Sequence, residues 1–227
     1  MFYIDYYYII LVVPAIIISL IAQSKVKGTY AKMSKIPNAK HLTGAMAAQQ
    51  VLSYYGITNV RIEQVSGKLS DHFDPKANVI RLSQGVYGSS SIAAVGIACH
   101  EAGHAAQHAE NYAPISIRNA ILPLANFGSS AGIMLAILGY FLNFGILVNV
   151  GIILFACVVA FQLVTLPVEF NASSRAMKVI DETGMLYDDE QAKAKKVLSA
   201  AAMTYVAALL VSIASLLRLI LRFGSRD

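Results

Sequence analysis

Charge is scarce in this 227-residue chain: Asp, Glu, Lys and Arg make up 14% of it, against roughly a quarter in an ordinary soluble domain. With 56% hydrophobic residues and a mean hydropathy of +0.57, the deficit argues for a bilayer environment before any motif is read. Cysteine is nearly absent. Cys99 and Cys157 stand alone, which excludes a disulfide framework and a Cys-x-x-Cys metal site. Both are read as buried free thiols, consistent with a reducing compartment. Repeats and low-complexity stretches are absent. So are glycine-rich phosphate loops and basic runs interleaved with aromatics, and the net charge of +5 is therefore not read as a nucleic-acid surface. The basic residues instead flank apolar stretches: Lys25, Lys27, Lys32, Lys35 and Lys40 after the first, Arg218, Arg222 and Arg226 after the last. That placement marks topology and contact with membrane lipids.

Charge-free runs define the candidate spans. Tyr6 to Ser24 gives 19 residues between Asp5 and Lys25, about 29 Å as a helix and enough to cross the hydrocarbon. Tyrosines crowd its start like an interfacial belt, and Pro14 is placed to kink it. Asn119 to Val168 carries no charge over 50 residues. That suits two spans, about 121–140 and 146–166, with a turn near Gly139 to Gly145 where Asn143 breaks the pattern. Val197 to Leu217 is the fourth candidate, or else, with a start rich in Ala, Ser and Thr, a buried or interfacial helix. The organisation expected is an N-terminal anchor (1–24), a mixed subdomain (25–118), a transmembrane hairpin (119–168), a second polar segment (169–196), and a C-terminal membrane helix with basic tail (197–227). Within the subdomain, Thr43 to Tyr55 reads as a helix stopped by Gly56. Val60 to Val65 alternates like a half-buried strand, Val79 to Leu82 is a second strand, and Ser89 to Ser91 offer caps for a helix reaching about Glu110.

That last helix carries His100-Glu101-Ala102-Gly103-His104. Positions i and i+4 lie about 40° apart round a helix, so both imidazoles project from one face and can share one zinc ion. Glu101 lies about 100° round, placed to take the proton of a zinc-activated water attacking a carbonyl. The arrangement is the metallopeptidase His-Glu-x-x-His pattern. A catalytic zinc needs a third protein ligand. His108 extends the stripe, but one helix cannot wrap three such residues round an ion, and Glu110 points elsewhere. The next acid is Glu169, just past the hairpin and back on the side where the hairpin began. Residues Val79, Ile80, Arg81 and Leu82 are the candidate substrate-binding strand, by strand addition at an edge, or else an ordinary core strand. His72 is a candidate for stabilising the oxyanion, or a turn residue. Arg175 is expected either to pair with a carboxylate near the ligands or to face lipid phosphates.

HEAGHAAQH (100–108), LSDHFDP (69–75), VIRLS (79–83) and LPVEFNASSRA (166–176) together resemble the YugP-like family of neutral zinc metallopeptidases, small bacterial membrane proteins. The layout is also similar to the HtpX-type membrane proteases, in which His-Glu-x-x-His is followed by a transmembrane hairpin and a ligand glutamate in an E-x-x-A-D pattern. Carried over, the ligand is Glu169 and the alanine is Ala172, while Ser173 stands where that pattern has aspartate. The partner orienting a ligand histidine is then Ser173 itself, Asn171 or Asp181.

The fold expected is a mainly α integral membrane protein, with about four transmembrane helices and a small zincin-like α+β cytoplasmic subdomain. The function expected is hydrolysis of peptide bonds in membrane-associated or misfolded polypeptides, with one zinc ion per chain. The lysines after the first span place 25–118 in the cytoplasm, and the hairpin returns Glu169 to that side; a fourth span then leaves three arginines outside, against the rule. The rival reading is a non-catalytic membrane zinc-binding or assembly protein. A structural site closes four protein ligands, however, where this sequence offers three. Whether copies associate into a homo-oligomer, and which substrate is natural, are not legible.

Overall fold

The computed structural model describes residues 5–224. In chain order the elements are a π-type turn (Tyr8–Val12) leading into α1 (Val13–Met33), α2 (Gly44–Tyr54), β1 (Arg61–Val65), β2 (His72–Asp74), β3 (Val79–Ser83), α3 (Gln84–Tyr87), α4 (Ile92–Ala109), α5 (Ala113–Phe127), a second π-type turn (Gly128–Gly132), α6 (Ile133–Phe141), α7 (Gly145–Glu182) and α8 (Asp188–Phe223). They divide into two compact units. One takes the chain up to Gln23, Ser116–Pro167 and Met203 onward; the other takes Ser24–Ile115 and Val168–Ala202.

The second unit is mixed α and β. Its sheet has the order β1-β3-β2, with β3 parallel to β1 and antiparallel to β2. α2 starts at an N-cap, Thr43, whose hydroxyl accepts from Met46 N at 3.3 Å. The chain leaves α2 through Gly56 at φ +67°, the left-handed conformation glycine adopts freely. Ala47, Ala48, Val51 and Leu52 of α2 join Ile80 and Leu82 of β3 and Val95, Ala98 and Ala102 of α4 in one core. Alanines on both helices allow a close approach at little side-chain entropy cost. Asn38, 1% exposed, ties the segment before α2 to the one before α4. Its Nδ2 donates to Leu42 O at 2.8 Å and Ser90 O at 2.6 Å, and its Oδ1 accepts from Leu42 N at 2.9 Å.

The first unit is apolar. Four helical stretches are long and apolar enough to cross a membrane: Tyr8–Met33, Ala113–Phe141, Gly145–Glu182 and Asp188–Phe223. All are longer than the spans expected from the sequence. Lys25, Lys27 and Lys32 lie inside α1 because charge limits what hydrocarbon accepts, not where a helix stops, and lysine is a good helix former. A π-type turn over Tyr8–Val12 precedes Pro14, which lies in the first turn of α1. α6 and α7 meet at small residues: a methyl group on Gly151 would lie 2.6 Å from Gly132 O, the kind of close approach that packs helices in lipid. The turn joining them passes through Asn143 at φ +52°, where the broken pattern placed it. Ile17, Ile18, Ile21, Met134 and Ile153 are exposed, a surface that suits lipid tails.

Arg218 has both an acid and an aromatic ring as partners. Its Nη2 and Nε donate to Asp5 Oδ2 at 2.8 and 3.0 Å, and its guanidinium lies over the Tyr8 ring. Arg222 Nη1 donates to the Tyr140 hydroxyl at 3.1 Å.

The Asn38 clamp generates a test of this frame. Asn38→Ala leaves buried backbone groups without partners, a loss of about 2 kcal/mol. Thermal unfolding of the detergent-solubilised chain is expected to shift down accordingly; an unchanged midpoint would show that the clamp contributes nothing.

Candidate metal centre

α4 is built to be buried all round. Its N-cap, Ser91, accepts from Ala94 N at 3.2 Å, and alanines let neighbours press on it from several sides. His100, Gly103, His104 and Gln107 form an i, i+3, i+4, i+7 stripe along it. Glu169, Ala172, Ser173 and Ala176 form the same stripe on α7. The contacts run in opposite senses along the two: His100 meets Ser173, Gly103 meets Ala172, His104 meets Glu169 and Gln107 meets Val168. The helices therefore cross antiparallel. Gly103 sets their separation. A Cβ there would sit 2.6 Å from the Ala172 carbonyl oxygen, so only hydrogen fits.

The crossing brings three donors together. Glu169 Oε2 lies 3.4 Å from His100 Nε2 and 3.5 Å from His104 Nε2, and the three ligand atoms fall within 4.8 Å of one another. Two donors on a tetrahedral zinc, each 2.0–2.1 Å from the ion, stand about 3.3 Å apart. The carboxylate separations fit that ion. The donor set fits too: two imidazoles and a carboxylate, with Glu169 buried and the histidines half-buried. Burial alone would lower the His104 pKa, but the Glu169 carboxylate and the Glu101 charge outweigh it and the net shift is upward. The site's field thus favours a positive occupant.

A second layer orients these donors. His100 Nδ1 and Ser173 Oγ share a hydrogen bond at 3.1 Å, at the position where the HtpX-type pattern has aspartate. His104 Nδ1 donates to Gln107 Oε1 at 3.0 Å. Gln107, fully buried, was not singled out from the sequence; its place one turn after His104 on the same face was the available signal. Its Nε2 donates to Val168 O and Asn171 Oδ1, both at 2.8 Å. Asn171 therefore acts through Gln107 and not on a ligand directly. No such contact involves Asp181 among the described residues. Arg175 donates from Nε to Asn171 Oδ1 at 2.8 Å, pairs with Glu110 at 2.7 Å and lies over the rings of Tyr55 and Tyr112. Of its two expected roles, the carboxylate pairing is the one present.

Three expectations need correction. Residues Val79, Ile80, Arg81 and Leu82 are not an edge: β3 is the central strand, hydrogen-bonded on both sides, with Val79, Ile80 and Leu82 fully buried. A substrate strand cannot add there. The edge beside α4 is β2, whose Phe73 ring stacks edge-on against His108 at 5.9 Å. His72 is exposed on β2 with both ring nitrogens engaged, Nδ1 with Ser70 O at 2.8 Å and Nε2 with Arg81 Nη1 at 3.3 Å. Since the carbonyl takes the Nδ1 proton, Nε2 is an acceptor and cannot donate to an oxyanion. The thiols differ as well: Cys99 is buried against Met185 and its pKa is pushed up by burial, while Cys157 is only half-buried.

The geometry can be set beside known proteins. Residues 8–224 match the family described as "Putative neutral zinc metallopeptidase". The chain belongs to that family. It is 46% identical over 221 residues, 97% of this chain and 98% of the relative, to the "Putative membrane protease YugP" of Bacillus subtilis (strain 168). No solved structure matches. In this family member the segment before β3 serves as a brace. Asp71 accepts from Ser83 N at 2.7 Å and Ser83 Oγ at 3.1 Å, and Asp74 holds both the turn at Lys76 and Ala77 and the Arg81 guanidinium.

The tight crossing makes a prediction for this family member. Gly103→Ala forces α4 and α7 apart at the ligands. It is expected to cut zinc affinity by at least about tenfold, comparable to losing a partner of a ligand histidine, read by competition with a chelating dye. Undiminished affinity would show that the crossing does not set the ligand spacing.

Proposed function

We propose that the chain is a membrane-embedded zinc endopeptidase, with His100, His104 and Glu169 holding one ion and Glu101 as the proton carrier. The observation that supports it most is the carboxylate of Glu169 standing at tetrahedral separation from two histidine nitrogens, with the glutamate of the same motif buried one residue away. Among the described residues the cluster has three members, which leaves a coordination position for chemistry; a closed structural site uses four. Bound there, zinc supplies a Lewis acid that polarises a carbonyl and lowers the pKa of a water. Glu101 accepts the proton of the attacking water on its carboxylate and returns it to the departing amine. Ser173 and Gln107 hold the two imidazoles with their Nδ1 protons turned outward and their Nε2 lone pairs inward. The open edge of β2, beside α4, takes the extended substrate by strand addition in place of β3.

The substrates proposed are membrane-associated or misfolded polypeptides. The four apolar helices and the relative named a membrane protease support that class. Lys25, Lys27, Lys32, Lys35 and Lys40 support a site on the cytoplasmic side of the cell membrane.

Two measurements test this. Glu101→Gln is expected to keep zinc yet lose casein hydrolysis by about 100- to 10,000-fold, the range for a positioned general base; hydrolysis at the wild-type rate would remove Glu101 from the chemistry. For orientation, a single cysteine at exposed Lys68, in a chain with Cys99 and Cys157 replaced by alanine, is expected to resist an impermeant maleimide until the cells are opened. Labelling of intact cells would put the site outside.

A further inference from the structure

We propose that Arg175 is a positioning residue of the metal centre, fixing through Asn171 and Gln107 which nitrogen of His104 carries the proton. The proposal rests on the metal-site reading above.

The argument is one of hydrogen-bond polarity. A guanidinium nitrogen donates and never accepts. Arg175 Nε sits 2.8 Å from Asn171, so Asn171 presents its oxygen. That oxygen also faces Gln107 at 2.8 Å, so Gln107 presents its amino group. Val168 O, which can only accept, demands the same orientation from the same amino group at 2.8 Å. The Gln107 oxygen is thereby left for His104 Nδ1 at 3.0 Å, which must carry the proton. His104 Nε2 is then a bare lone pair on the side of Glu169. Reversing any one amide sets donor against donor or acceptor against acceptor elsewhere in the chain of contacts. Arg175 itself is held by Glu110 at 2.7 Å and by the faces of Tyr55 and Tyr112, so the donor at the head of the chain is fixed.

Polarity and simple charge make opposite predictions for two isosteric changes. Asn171→Asp keeps an acceptor where both contacts need one. Gln107→Glu puts a carboxylate oxygen against Val168 O and Asn171 Oδ1, where two donations are needed. Charge alone predicts that both added negative groups tighten a cation. The experiment is cobalt(II) titration of the metal-free, detergent-purified full chain, followed by visible absorption, with zinc affinity from chelator competition. Asn171→Asp is expected to keep wild-type affinity and the wild-type cobalt spectrum. Gln107→Glu and Arg175→Met are expected to lose affinity by about 10- to 100-fold, as outer partners of ligand histidines do, with a changed cobalt spectrum. Arg175→Met carries the test with Gln107 intact should Gln107→Glu fail to fold. Gln107→Glu binding as tightly as wild type, or Asn171→Asp falling as far as Gln107→Glu, would overturn the proposal. So would Arg175→Met with an unaltered spectrum and affinity. Wild-type protein that takes up no cobalt would overturn the metal site itself, and this assignment with it.

Discussion

Gly103 on α4 lies against the carbonyl of Ala172 on α7 with no room for a methyl group between them. The metal centre depends on that contact. One helix can offer two histidines on one face, but the third ligand must come from elsewhere, and its distance is set by how closely the second backbone approaches. With Gly103 and Ala172 at the crossing, Glu169 reaches the two Nε2 atoms at 3.4 and 3.5 Å. The same approach puts Ser173 on His100 and Gln107 on Val168. Ligands and the groups that orient them thus follow from one packing event. The small residue inside the His-Glu-x-x-His motif and the alanine three positions after Glu169 are both there for space.

Burial then decides what the cluster can tolerate. Glu169 is 5% exposed, and a carboxylate so desolvated is costly without a cationic partner. Glu101, also buried, adds a second negative charge close by. The upward shift of the His104 pKa expresses the same imbalance: the site stabilises positive charge. A divalent ion held there would answer both acids at once and leave the imidazoles neutral, as ligands must be.

The three clustered side chains were legible because their signal is local or eliminative. The histidines stand at helical spacing, and 50 charge-free residues leave Glu169 as the next acid. The helix cap among Ser89 to Ser91 and the turn at Asn143 were legible for the same reason, being short-range chemistry. The place of β3 was not. Strand order depends on a parallel β1–β3 pairing that brackets β2 in sequence, and no local pattern announces it. His72 and Gln107 misled in opposite directions. An exposed histidine draws notice whatever its hydrogen bonds, and a buried glutamine draws none until its partners are seen. The charge-free runs located apolar segments but not helix ends, since α1 continues through three lysines.

The most direct measurement of the central claim is zinc K-edge X-ray absorption on the full chain loaded with one equivalent of zinc. Two imidazole scattering patterns and only nitrogen or oxygen neighbours, at about 2.0–2.1 Å, are the result this account predicts. Sulfur at about 2.3 Å, or an ion surrounded by oxygen with no imidazole, would contradict it and place the metal somewhere other than between α4 and α7.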